Sequence, residues 1–197
     1  MDLQPVAAGF DATRLDRIAA HLDSRYVQPG KIAGCQVAVG RRGHLAYSAS
    51  LGQRDRERGV AMGDDTIFRI YSMTKPITSI ALMQLFEQGL FQLDDAVARF
   101  FPSWRDHRVW VSGLGSEMVT EPAHRPVSFR DLLTHTSGIT YGGVLPGMGD
   151  QHPIDALYRE QQIRSAGVPI TMPEFMDTSA RVPLRFQPGT ASMYSLA

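Results

Sequence analysis

Ile70-Tyr71-Ser72-Met73-Thr74-Lys75-Pro76 sets a serine and a lysine three residues apart, at the opening of an apolar run from Ile77 to Leu90. Positions i and i+3 of a helix share a face, one turn apart. A helix whose first turn includes Ser72 would therefore point the hydroxyl and the Lys75 amine into the same space. Pro76 fits such a start, because backbone N–H groups in the first turn have no intrahelical acceptor to lose. Ile77, Ile80, Ala81, Leu82, Met83, Leu85, Phe86 and Leu90 put apolar side chains on more than one face. That pattern predicts a helix buried at the centre of a domain, with Gly89 as its stop.

Lysine is the informative partner. The chain has two lysines, Lys31 and Lys75, against eighteen arginines. Arginine stays protonated in proteins, whereas a buried lysine can give up its proton and act as a base. A serine hydroxyl is a poor nucleophile until such a base takes its proton, and burial or nearby positive charge favours the uncharged amine. Codon usage explains the arginine bias equally well, and with fourteen serines a chance Ser-x-x-Lys is cheap. The pair alone does not define a site.

Composition bounds the rest. Length allows one or two domains, and 43% hydrophobic residues supply a core. Balanced formal charge gives no reason to expect a nucleic acid or acidic membrane as partner. Cys35 is the single cysteine, which excludes an intramolecular disulfide and a cysteine metal cluster. Met1-Asp2-Leu3-Gln4-Pro5 has no basic start followed by a long apolar stretch, and no transmembrane run follows, so the chain reads as cytoplasmic.

Asp11 to about Val27 has a helical stripe (Leu15, Ile18, Ala19, Leu22, Tyr26) closed by Pro29-Gly30. Ala33, Cys35, Val37 and Val39 alternate as in a strand. Gly40-Arg41-Arg42-Gly43 turns, and His44 to Ser50 returns to complete a hairpin. Arg54 to Arg58 reads as a solvated loop, and Thr66 to Ile70 as an extended lead into Ser72. Leu93-Asp94-Asp95 and Ala96 to Phe101 predict a short helix ended by Pro102, and 103–127 reads as irregular. Ser128-Phe129-Arg130-Asp131 resembles a capping box for a helix over Phe129–His135, closed by Gly138. Gly142 to Gly149 is glycine-rich without phosphate-loop spacing. Thr171-Met172-Pro173-Glu174 opens a further helix to about Ala180, and Phe186 to Thr190 turns the chain toward Tyr194 and Ser195.

Taken in order, several stretches bear a specific resemblance. They are Phe68 to Pro76, Leu93-Asp94-Asp95, Arg130-Asp131-Leu132-Leu133-Thr134-His135-Thr136-Ser137-Gly138, Pro188-Gly189-Thr190 and Tyr194-Ser195. The series resembles the serine hydrolase family that includes class C β-lactamases, DD-peptidases and β-lactamase-fold esterases. The Ser-x-x-Lys pair is itself a signature of that group. The resemblance implies an α/β (α+β) β-lactamase/transpeptidase-like fold, in which a sheet built from both chain ends packs on helices and a mainly helical region is inserted. Residues 1–70 would be the N-terminal part of the sheet domain, and 71–197 the catalytic helix and helical region up to the tyrosine motif. Ser72 is then the acylated nucleophile, Lys75 its proton partner, and Tyr194 the phenol that completes the base and protonates the leaving group. No cofactor or metal is implied, and the partner is a small-molecule ester or lactam.

Two departures shape the expectation. Many members read Tyr-x-Asn where this chain has Tyr194-Ser195-Leu196. Leucine cannot hydrogen-bond a lactam amide, which points to the esterase branch. The family's last strands, carrying a third motif and one oxyanion-hole N–H, would follow Ala197. The chain thus reads as the first half of an enzyme, poorly folded and inactive in isolation.

Other candidates have plainer readings. His135 between Thr134 and Thr136 invites a Ser-His triad, but a structural histidine at a helix end accounts for it. His21, His44, His107, His124 and His152 lack His-Glu-x-x-His spacing. No Gly-x-Ser-x-Gly elbow occurs, against an α/β-hydrolase. Trp104 and Trp110 either line an acyl pocket or pack. Three functions are compatible: an esterase working through an acyl-enzyme, a β-lactamase or D-alanyl-D-alanine carboxypeptidase-like enzyme, and a non-catalytic homologue that binds a ligand or partner.

Overall fold

The computed structural model describes residues 2–142, 152–161, 163 and 170–196. The chain divides into two compact units, Met1–Tyr71 and Ser72–Ala197.

In the first unit, helix α1 (Ala12–Leu22) starts where Asp11 accepts hydrogen bonds from the Thr13 and Arg14 amides, at 2.9 and 3.4 Å. A wider helical turn carries it on over Asp23–Val27, so the predicted span is helical throughout. Strands β1 (Gly34–Arg41), β2 (His44–Asp55) and β3 (Val60–Ala61) form an antiparallel sheet in that order. Leu15, Ile18 and Ala19 of α1 pack on Val37, Val39, Ala46, Tyr47 and Ala49, because the alternating residues of both strands turn one face toward the helix. Gly34 pairs with Gly52, and a Cβ on Gly52 would lie 2.5 Å from the Ala33 carbonyl; only glycine lets the backbones approach there. The Arg54–Arg58 run is not wholly a loop. Arg54 and Asp55 extend β2 past Gly52, where β3 offers new partners, and the Arg58 amide caps the turn by donating to Asp55 at 3.0 Å.

A tight turn over Tyr71–Met73, where the chain passes from the first unit to the second, leads into α2 (Thr74–Glu87), with Gly89 in the left-handed conformation just beyond it. The helix is where it was expected; its surroundings are not. None of its residues is buried, and Ile77 and Ile80 are 60% and 63% exposed. Apolar composition states a helix's preference for cover, but the unit's core forms elsewhere. That core gathers Val97, Trp104, Val109, Val127, Ile154, Tyr158, Val182 and Leu184. At the far end of α2, Phe86 meets Phe91 edge-on and Phe91 lies against Phe129.

Several local expectations need correction. Ala96–Phe101 contains only a single tight turn, Val97–Arg99, and Pro102 begins a second one rather than ending a helix. Residues 103–127 contain a hairpin, β4 (Arg108–Ser112) and β5 (Val119–Pro122). Its two runs are short, one ends in proline, and a six-residue link containing Gly113 at φ 74° separates them, which hides the alternation. Leu184 pairs alongside β4, with the Trp110 amide donating to its carbonyl and its own amide donating to Arg108, both at 2.8 Å. Helix α3 covers Phe129–Leu133 and stops before His135. Helix α4 (Pro153–Glu160) was not foreseen, although Ile154, Leu157 and Tyr158 have helical spacing behind an N-terminal proline. Helix α5 (Met172–Ala180) opens on the predicted Thr171–Glu174 capping box. Trp104 packs in the core, its indole N–H donating to Met176 at 3.0 Å. Of the glycine-rich 142–149 stretch, only Gly142 falls within the described residues.

Candidate active site

The site is assembled from the two ends of the second unit. Ser72 is exposed in the tight turn before α2, and Lys75, half-buried, is the second residue of that helix. Tyr71, immediately before the serine, is held at φ 46°. A side chain in that left-handed region costs about 1–2 kcal/mol, and such strain collects at functional sites.

Tyr194 arrives on an extended segment without regular secondary structure, which must be fixed from outside. The Leu-Leu-Thr-His-Thr-Ser-Gly run supplies the fixing points. The Thr136 carbonyl accepts from the Gly189 amide at 2.8 Å, the Gly138 carbonyl from Arg185 at 2.8 Å, and the His135 carbonyl from Met193 at 2.9 Å. His135 presents its carbonyl this way by adopting φ 58°. Gly138, at φ 86°, lies so close to Phe186 that a Cβ would come within 2.5 Å of its carbonyl. Ser137 and Thr140 are fully buried beside this junction.

Asp131 anchors the run. Its carboxylate takes a bidentate pair from Arg125 at 2.6 and 2.8 Å, the Ser128 amide and hydroxyl at 2.9 and 2.8 Å, and the Thr136 hydroxyl at 3.1 Å. Burial pushes this carboxyl up, but Arg125 and Ser128 more than reverse it and hold the pKa at about 2. A cleft of about 350 Å³ opens beside the pair, lined also by Asp94 and Arg130. Those charges pair with one another, Arg130 to Asp94 at 2.7 and 3.0 Å, and the cleft is not lined by Ser72, Lys75 or Tyr194.

The result brings Lys75 and Tyr194 together. The Lys75 amine sits 4.9 Å from the centre of the Tyr194 ring, a cation–π distance. His135 lies against the same ring at 4.8 Å, with its Nδ1 3.4 Å from the Ser195 hydroxyl. Burial, and then the charge on Lys75, hold the imidazole below its ordinary pKa. His135 thus lies between the Tyr194 ring and the Ser195 hydroxyl. Sequence reasoning missed Tyr141, whose ring stacks near Tyr194 at 5.9 Å and lies 5.8 Å from the Lys75 amine. A tyrosine three residues past Gly138 carries no pattern of its own. Among the described residues, no group of three or more histidine, cysteine, aspartate or glutamate side chains could hold a metal ion, and no helix is long and apolar enough to cross a membrane.

The chain is similar to known proteins. Residues 19–197 match the family described as Beta-lactamase, and the chain belongs to that family. Its fold is the mixed α/β, β-lactamase/transpeptidase-like one. It is 34% identical to esterase EstB of Burkholderia gladioli over 99% of this chain and 46% of the relative. Lovastatin esterase of Penicillium rubens is 31% identical over 85% of this chain and 41% of its own length. Among solved structures, EstCE1, a hydrolase with promiscuous acyltransferase activity, superposes with a TM-score of 0.72 at 27% identity, covering 94% of this chain and 44% of that one. The chain spans less than half the length of these relatives.

Proposed function

We propose that the chain carries the nucleophile, base and phenol of a serine esterase that works through an acyl-enzyme on Ser72. The supporting observation is the meeting of the Lys75 amine and the Tyr194 ring at 4.9 Å, from opposite ends of the unit, one turn from an exposed serine. In this mechanism the Ser72 hydroxyl attacks the ester carbonyl as Lys75 and Tyr194 take its proton. The same pair returns the proton to the departing alcohol, and water then attacks the acyl-serine under the same base. The substrate is a small carboxylic ester. Leu196 packs against the apolar core where many family members carry an amide-binding asparagine, and the named relatives include esterases.

The test uses the full-length protein with a p-nitrophenyl ester and a chromogenic cephalosporin, beside labelling by a serine-directed fluorophosphonate. Ester turnover well above cephalosporin turnover is expected, with labelling lost in Ser72→Ala. Preferred cephalosporin hydrolysis would replace the esterase with a β-lactamase. Labelling that survives Ser72→Ala would remove the nucleophile assignment.

A further inference from the structure

Tyr194 presents a problem of order. It is 52% exposed, it sits on a segment with no helix or strand to hold it, and a phenol that passes protons must keep its place. A misplacement on the order of 1 Å at a reacting group can cost about a hundredfold in rate. One side of the ring is braced by His135. The Tyr141 ring lies 5.9 Å away from it and only 22° from parallel. Lys75 reaches the space these two tyrosines share, its amine 4.9 Å from one ring and 5.8 Å from the other.

Resting on the esterase reading above, we propose that Tyr141 is a positioning residue: its ring closes an aromatic bracket that holds the Lys75 amine and the Tyr194 phenol in register for proton transfer. The ring face attracts the ammonium that forms as Lys75 accepts the proton, and the offset stack restricts rotation of Tyr194. Both effects need an aromatic ring and neither needs the Tyr141 hydroxyl. The role therefore separates by substitution: phenylalanine keeps it and leucine, of similar bulk, does not.

The experiment measures fluorophosphonate labelling of Ser72 and p-nitrophenyl ester turnover in full-length Tyr141→Phe and Tyr141→Leu, together with their melting temperatures. Tyr141→Phe should label and turn over within about twofold of the parent. Tyr141→Leu should lose about tenfold or more in maximal labelling rate and kcat, with KM and melting temperature little changed. Undiminished labelling of Tyr141→Leu would overturn the proposal, as would a loss that phenylalanine fails to restore. A loss matched by a fall of many degrees in melting temperature would make Tyr141 a packing residue and overturn it equally. Should the parent itself fail to label, the esterase reading falls, independently of Tyr141.

Discussion

The carboxylate of Asp131 gathers five donors while its side chain is only 4% exposed. Removing its charge leaves Arg125 without its partner and helix α3 without half of its capping box. Asp131→Asn should therefore cost about 2 kcal/mol in urea unfolding of the full-length protein at pH 7, roughly what a carboxyl held at about 2 instead of 3.8 contributes. The effect has a pH signature. The folded pKa of about 2 lies below the ordinary 3.8, so the contribution is complete above about pH 3.8 and is lost as the pH falls through the folded value. The stability gap between parent and variant should narrow below pH 4; a gap constant from pH 7 to pH 2 would refute the assignment. At this scale spacing alone put Ser72 and Lys75 one turn apart, and the structure adds that the Lys75 amine meets the Tyr194 ring. The sequence was silent on Tyr141, which meets Lys75 and Tyr194 only in three dimensions.

Between residue and molecule lies the junction that fixes the tyrosine segment, and Gly138 is its tightest point. Alanine there would have to adopt φ 86° and would place Cβ 2.5 Å from the Phe186 carbonyl. The left-handed conformation alone costs about 1–2 kcal/mol. Relief of the clash moves residues 184–186, which pair with β4 and lead on to Tyr194. Gly138→Ala should lower stability by about 2 kcal/mol or more, and Ser72 labelling should fall further than the unfolded fraction explains. Labelling that tracks the folded fraction would show that the tyrosine segment is held independently of this contact. Elements announced by local chemistry were readable in advance. Asp11 and the Thr171–Glu174 box start their helices as the side chains dictate, and β1–β2 follows from alternation about a glycine turn. The β4–β5 hairpin was hidden because Val119–Pro122 is stabilised by its partner rather than by its own pattern. The exposure of α2 was hidden for a different reason: periodicity reports which side chains seek cover, and cover is a property of other residues.

At the scale of the whole chain, two facts combine. The formal net charge is zero, so little repulsion keeps copies apart. Helix α2 meanwhile leaves Ile77, Ile80 and Leu85 at 60%, 63% and 44% exposure, with Ile77 and Ile80 one turn apart on the same face. Contiguous exposed apolar surface of this kind drives association. The 197-residue chain should bind a hydrophobic dye such as ANS and associate at micromolar concentration in analytical ultracentrifugation. Replacing Ile77, Ile80 and Leu85 together by serine should reduce both. Each change should alter unfolding free energy by only about 0.5 kcal/mol, since these side chains already stand in water and serine nearly matches isoleucine in helix propensity. A parent chain that sediments as a monomer without binding dye would mean these side chains are covered. In that case the triple substitution would cost several kcal/mol, about 1.5–3 for each buried aliphatic side chain lost.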